Sequence, residues 1–193
     1  MRRFHIVLML IAMCFALSAC DFGEVDQGRC VAYNPDTKKF TMVLDVNHDA
    51  QNPSYTGGVM EFQMPEDPKE IGPEPVPGGR VLFDIDKKVV KIFVDGAVKD
   101  VNCEFTDIQK EIRPDNPKVA GKKFPVIDKD KSQITEYSRR LQALVTFKVP
   151  AELLTLPDST WESGDECRVY YKANAKHQVL RFMNVTRTNI FKK

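Results

Sequence analysis

Beyond residue 28 no stretch of this chain sustains an apolar repeat of 3.6 residues. Short runs of β-branched and aromatic residues are instead cut off by Asn, Asp, Gly and Pro. That punctuation constrains the fold more than any other feature, because it specifies strands joined by turns and argues against a helical bundle. Residues 29–46 read as strand, turn and strand about Asn34-Pro35-Asp36-Thr37. Residues 59–64 alternate into Pro65, a strand ended by proline. Pro68, Pro73, Pro75 and Pro77 make residues 66–79 an extended surface loop. Residues 81–84, 89–94 and 101–108 read as three more strands, turning at Asp86-Lys87 and Asp95-Gly96. Residues 109–121, with Pro114 and Pro117, read as a linker. Strands resume at 124–127, 133–137, 144–149, 167–171 and 179–185, with one helical turn expected at 151–156.

The second half restates the first. Asp36-x-x-x-Phe40-Thr41 matches Asp130-x-x-x-Ile134-Thr135, and Phe62-x-Met64-Pro65 matches Phe147-x-Val149-Pro150. Gly78-Gly79 and Phe105-x-Asp107-Ile108 find weaker counterparts at Gly164-Asp165 and Phe182-x-Asn184-Val185. The expectation is an all-β protein of two tandem five-stranded barrels of the OB or SH3-like kind, residues 29–112 and 113–193. Such barrels remove sheet edges by closing on themselves. Shared hairpin chemistry is the competing explanation of the matches.

The N-terminus carries a different signal. Arg2 and Arg3 precede an apolar run over residues 5–17, too short to span a membrane and of the length of a signal-peptide core. The stretch Leu17-Ser18-Ala19-Cys20 resembles a lipobox, the processing site of bacterial lipoproteins. The resemblance implies removal of residues 1–19 and acylation of Cys20. Residues 20–28 would then be a lipidated tether, with membrane lipid the partner of Cys20. The implied location is the cell envelope, facing the periplasm. Asp21 resembles the signal that retains lipoproteins in the inner membrane of some Gram-negative bacteria. Residues Cys20-Asp21-Phe22-Gly23, Gly28-Arg29-Cys30-Val31-Ala32-Tyr33, Pro157-Asp158-Ser159-Thr160-Trp161 and 180–186 make nearly the whole mature chain similar to an uncharacterised lipoprotein family of sulfate-reducing bacteria. That family has no assigned activity and transfers no catalytic residue.

Charge narrows the partners. Lys and Arg number 28 against 27 Asp and Glu, and losing Arg2 and Arg3 leaves the two signs nearly balanced. No global basic field points to nucleic acid, although Lys172, Lys176, Arg181, Arg187, Lys192 and Lys193 make the C-terminal end locally basic. Other envelope proteins are the expected macromolecular partners.

With Cys14 removed and Cys20 acylated, Cys30, Cys103 and Cys167 remain. Cys30 opens the first expected barrel and Cys103 lies on its last strand, so these two form the expected disulfide in an oxidising compartment. Closing a loop of about 70 residues contributes on the order of 4 kcal/mol in the chain-entropy model. No His-x-x-x-His, Cys-x-x-Cys, Gly-x-Ser-x-Gly or phosphate-binding loop occurs, so no catalytic residues and no cofactor are expected. The leading expectation is a non-enzymatic binding or scaffolding module. The alternative is a periplasmic copper or silver protein using Met183, His177 and Trp161, since thioether and imidazole suit soft metals. Strand methionines also serve as core filler.

Overall fold

The computed structural model describes residues 23–188. Within them the chain is all-β. Its strands are β1 (Gly23–Asn34), β2 (Lys39–Leu44), β3 (Val59–Gln63), β4 (Arg80–Asp84), β5 (Val89–Val94) and β6 (Ala97–Asn102). They continue as β7 (Glu104–Gln109), β8 (Val126–Asp128), β9 (Gln133–Ser138), β10 (Ala143–Lys148), β11 (Glu166–Lys172) and β12 (Val179–Asn184). The helical turn expected at 151–156 is a short 3-10 helix, Ala151–Thr155.

The strands form three open antiparallel sheets: β12-β11-β1-β2-β3, β7-β10-β9-β8 and β4-β5-β6. The expected closed barrels do not form. The physical reason is at β1, whose free edge is taken by β11 in register from Gly23↔Lys172 to Arg29↔Glu166. The five-stranded sheet therefore draws strands from both sides of the expected division between residues 112 and 113. Residues 23–28, read as tether, are the first half of β1. Gly28 is paired with Leu44 on one side and Cys167 on the other. The expected acylation site Cys20 and the expected signal segment 1–19 lie outside the described residues.

One hairpin turn is used four times. At residues 34–39, 84–89, 128–133 and 138–143 a side-chain oxygen caps the backbone N–H three residues on. Asn34 accepts from Thr37, Asp84 from Lys87, Asp128 from Lys131 and Ser138 from Leu141. The last turn residue is left-handed each time, at Lys38 (φ 55°), Lys88 (φ 55°), Ser132 (φ 51°) and Gln142 (φ 46°). Short polar side chains at the first position make this turn locally favourable. The Asp36 and Asp130 motifs that suggested duplication both sit within this recurring device.

Three apolar clusters order the layers. Phe83, Val90, Ile92 and Val101 of the three-stranded sheet pack on Ile134, Val145 and Phe147 of the four-stranded sheet, with Trp161 closing the end. The two sheets are thus a sandwich. Phe40, Met42, Phe62, Val169, Tyr171 and Phe182 fill the core of the five-stranded sheet. A small third cluster, Val43, Tyr55 and Val81 with Val31 and Phe93 against it, joins the back of that sheet to the other face of the middle one.

Cys30 and Cys167 belong to the five-stranded core and Cys103 to the sandwich. All three thiols are buried and free, so the expected Cys30–Cys103 bridge is not formed; its two ends lie in separate cores. Burial pushes the Cys30 thiol up to about 12 and the Cys103 thiol up to about 11, which keeps both protonated.

Candidate binding cleft

Where the back of the five-stranded sheet meets the sandwich, the small cluster leaves a cleft of about 1290 Å³. Strand alternation decides its first wall. On β1, Gly28 and Cys30 face the core, so Gln27 and Arg29 face the cleft side, opposite Arg168 and Glu166 of β11. The Arg29 guanidinium donates from Nη2 to the Tyr55 hydroxyl at 2.7 Å and from Nη1 to the Gly164 carbonyl at 2.8 Å. The same Nη2 lies 3.6 Å from a Glu166 carboxylate oxygen. Tyr55 donates to Glu166 at 2.7 Å and Gln27 donates to its other oxygen at 3.1 Å. Burial works against the Arg29 charge, but Tyr55 and Glu166 outweigh it and raise its pKa. Glu166 is therefore fully engaged by groups from residues 27 to 55.

The second wall depends on a bulge. The register of β4 on β5 slips between Arg80 and Leu82, which turns Arg80 and Phe83 to the same side, toward the four-stranded sheet. Arg80 stacks 4.5 Å from the Phe83 ring centre. Its Nε donates to Glu136 at 3.0 Å and to the Trp161 carbonyl at 3.3 Å, and Nη2 donates to Glu136 at 3.3 Å. Arg80 side-chain exposure is 8% and that of Glu136 is 2%, so this pair is a buried tie between the two sheets of the sandwich. Burial raises the Glu136 pKa while Arg80 opposes the shift.

Arg140, in the turn between β9 and β10, is different. It donates to backbone carbonyls only, Gln51 at 3.2 Å and, weakly, Phe83 at 3.4 Å. Among the described residues no carboxylate is bonded to it. Burial lowers its pKa and the neighbouring Arg29 and Arg80 lower it further, against Tyr55 and Asp84. Arg140 also borders a smaller adjoining pocket of about 450 Å³, lined in part by Leu82, Ile85 and Leu141. The rest of the large cleft adds the Arg187–Asp165 pair at 2.6 Å and exposed Lys122, Arg139 and Glu162. Cations thus outnumber carboxylates along the lining. Guanidinium groups in a partly enclosed cleft are donors suited to oxyanions.

The residues singled out from sequence lie elsewhere. Trp161 is 1% exposed in the sandwich core, its ring tilted against that of Phe147. His177 lies before β12, its Nδ1 2.9 Å from the Glu61 carbonyl, and Met183 is on β12 opposite Arg168. The structure does not gather these three. Among the described residues no group of three or more His, Cys, Asp or Glu is placed to hold a metal ion. Tyr55, in the turn-rich segment between β2 and β3, is buried. Arg29, Arg80 and Arg140 were missed. Each sits beside ordinary strand or turn residues, and their convergence depends on the pairing of β1 with β11 and the bulge in β4, neither of which is a local signal.

Fold and cleft together define the class: an all-β protein of three open sheets, with an arginine-lined opening where two of them meet. The chain belongs to the family described as a domain of unknown function (DUF4881), which matches residues 21–193. No curated protein and no solved structure matches it.

Proposed function

We propose that the protein is a lipid-anchored, extracytoplasmic binding module, non-enzymatic, that receives its ligand in the cleft between the five-stranded sheet and the sandwich. The observation that carries the reading is the cleft itself, of about 1290 Å³ and lined by residues from widely separated parts of the chain. Pockets of that order suit small molecules rather than single ions. The anchor rests on Leu17-Ser18-Ala19-Cys20. Only Asp21 and Phe22 separate Cys20 from β1, a reach of roughly 10 Å from Cys20 to Gly23 at full extension. An acylated Cys20 would therefore hold the start of β1 at the bilayer surface, with no swinging tether between.

Two measurements test this. Labelled palmitate should enter the protein and be lost in Cys20→Ser. Native mass spectrometry of the protein extracted from its own membranes should show a bound small molecule, absent when Ala50→Trp fills the cleft wall. An unlabelled chain rejects the anchor; equal ligand occupancy in both proteins rejects the cleft.

A further inference from the structure

We infer that the cleft is an oxyanion site, with Arg140 as the anchoring cation for a phosphate- or carboxylate-bearing small molecule. The inference rests on reading the cleft as a binding site and names the chemical class of its ligand.

Three guanidinium groups converge here, and two of them sit directly beside a carboxylate. Arg29 donates from its two terminal nitrogens to Tyr55, Gly164 and Ser163 and lies beside Glu166, while its buried Nε has no partner among the described residues. Arg80 is forked onto Glu136. Arg140 is half-buried, repelled by Arg29 and Arg80, attracted by an Asp84 carboxylate that makes no bond to it, and held by two carbonyls at 3.2 and 3.4 Å. A half-buried cation without a directly bonded carboxylate is costly, and an incoming anion recovers that cost. Carbonyl contacts of this length leave donor capacity on a guanidinium that carries five N–H groups. Arg140 also stands at the junction of the two cavities. An anionic head bonded there can lie in the larger cleft, and an organic body can extend against Leu82, Ile85 and Leu141. The alternative role for Arg140 is structural, a clamp fixing the loop at Gln51 to β4.

Isothermal titration of the full-length protein in detergent with inorganic phosphate tests the inference. Wild type should bind saturably, and Arg140→Gln should bind at least tenfold more weakly. Arg140→Lys keeps the charge without the fork and should fall between them. Arg181→Gln, which removes a surface partner of Glu70, should bind as wild type does. A purely structural clamp would instead lower the melting temperature of Arg140→Gln and leave phosphate affinity unchanged, which overturns the inference. Absence of phosphate binding by a folded wild type also overturns it. The binding-module reading would survive either result if a neutral or cationic molecule were recovered in the cleft. Vesicles containing phosphatidylglycerol then separate the sources. Arg140-dependent vesicle binding that phosphate competes away identifies a lipid headgroup, and its absence identifies a soluble anion.

Discussion

The middle sheet, β4-β5-β6, meets the rest of the molecule on two faces, and they are built differently. Toward the four-stranded sheet it presents Phe83, Val90, Ile92 and Val101, and the interface is continuous and apolar. Toward the five-stranded sheet it presents Val81, Leu82, Phe93 and Val98, and only Val43, Tyr55 and Val81 are fully buried there. The wide contact contributes most of the burial between layers. The narrow one leaves room for charged side chains and a cleft. A face that closes completely cannot receive a ligand, whereas one propped open by a small apolar patch can.

Breaking the wide face should cost most. Phe147 is 0% exposed and touches Phe83, Phe105 and Trp161. Phe147→Ala should destabilise by about 3–5 kcal/mol in chemical denaturation. Arg80→Met should cost a similar 3–5 kcal/mol near neutral pH, because it strands the Glu136 carboxylate in the sandwich. That loss should depend on pH. A carboxyl whose folded pKa lies above its unfolded value, about 4.3 for Glu, contributes most below that value and loses its contribution as pH rises through the folded value. Glu136 is already raised by burial, and without Arg80 it is raised further. Arg80→Met should therefore be closest to wild type in acid and furthest from it at neutral pH. Denaturation midpoints that track wild type at a constant offset from pH 4 to 8 would contradict the buried-pair account.

The narrow face should yield smaller effects. Val43→Ala should cost about 2 kcal/mol, two buried methylene equivalents with little room to collapse. At the solvent-facing margin of the middle sheet, removing the Lys91–Asp100 pair by Lys91→Gln should change stability by less than about 1 kcal/mol. If Val43→Ala equals Phe147→Ala, the two faces are not different in kind. Thiol chemistry sharpens the same picture without a mutation. Mapped alkylation at pH 8 should find Cys30, Cys103 and Cys167 unmodified in the folded protein and all three modified after unfolding. A pair that stays protected in denaturant until a reductant is added would reveal a bridge.

Much of the fold was legible locally. Alternation with Pro65 after it marked β3, Asp95-Gly96 marked the tight turn between β5 and β6, and the strand segments 133–137 and 144–149 emerged as β9 and β10. Turn and strand are short-range properties, so one sequence suffices to read them. The layers were not legible. Polar residues 23–28 gave no sign of pairing with β11, because Gln27 bonds the Glu166 side chain and the adjoining Arg29 the Gly164 carbonyl, each more than 130 positions away. The Gly78 and Gly164 motifs, read as repeat counterparts, are in fact packed together against the backbone of Cys30, where a Cβ on Gly164 would overlap the Cys30 carbonyl oxygen. That is a close backbone approach requiring glycine, and it pins the start of β4 to the start of β11. The cleft arginines were hidden for the same reason.

The most direct test of the central claim is the Nε–Hε NMR spectrum of the arginines during titration with sodium phosphate. The account predicts saturable shifts at Arg140, with Arg29 and Arg80 following, while Arg181 on β12 stays fixed. Small, unsaturating shifts spread evenly over all the arginines would contradict it.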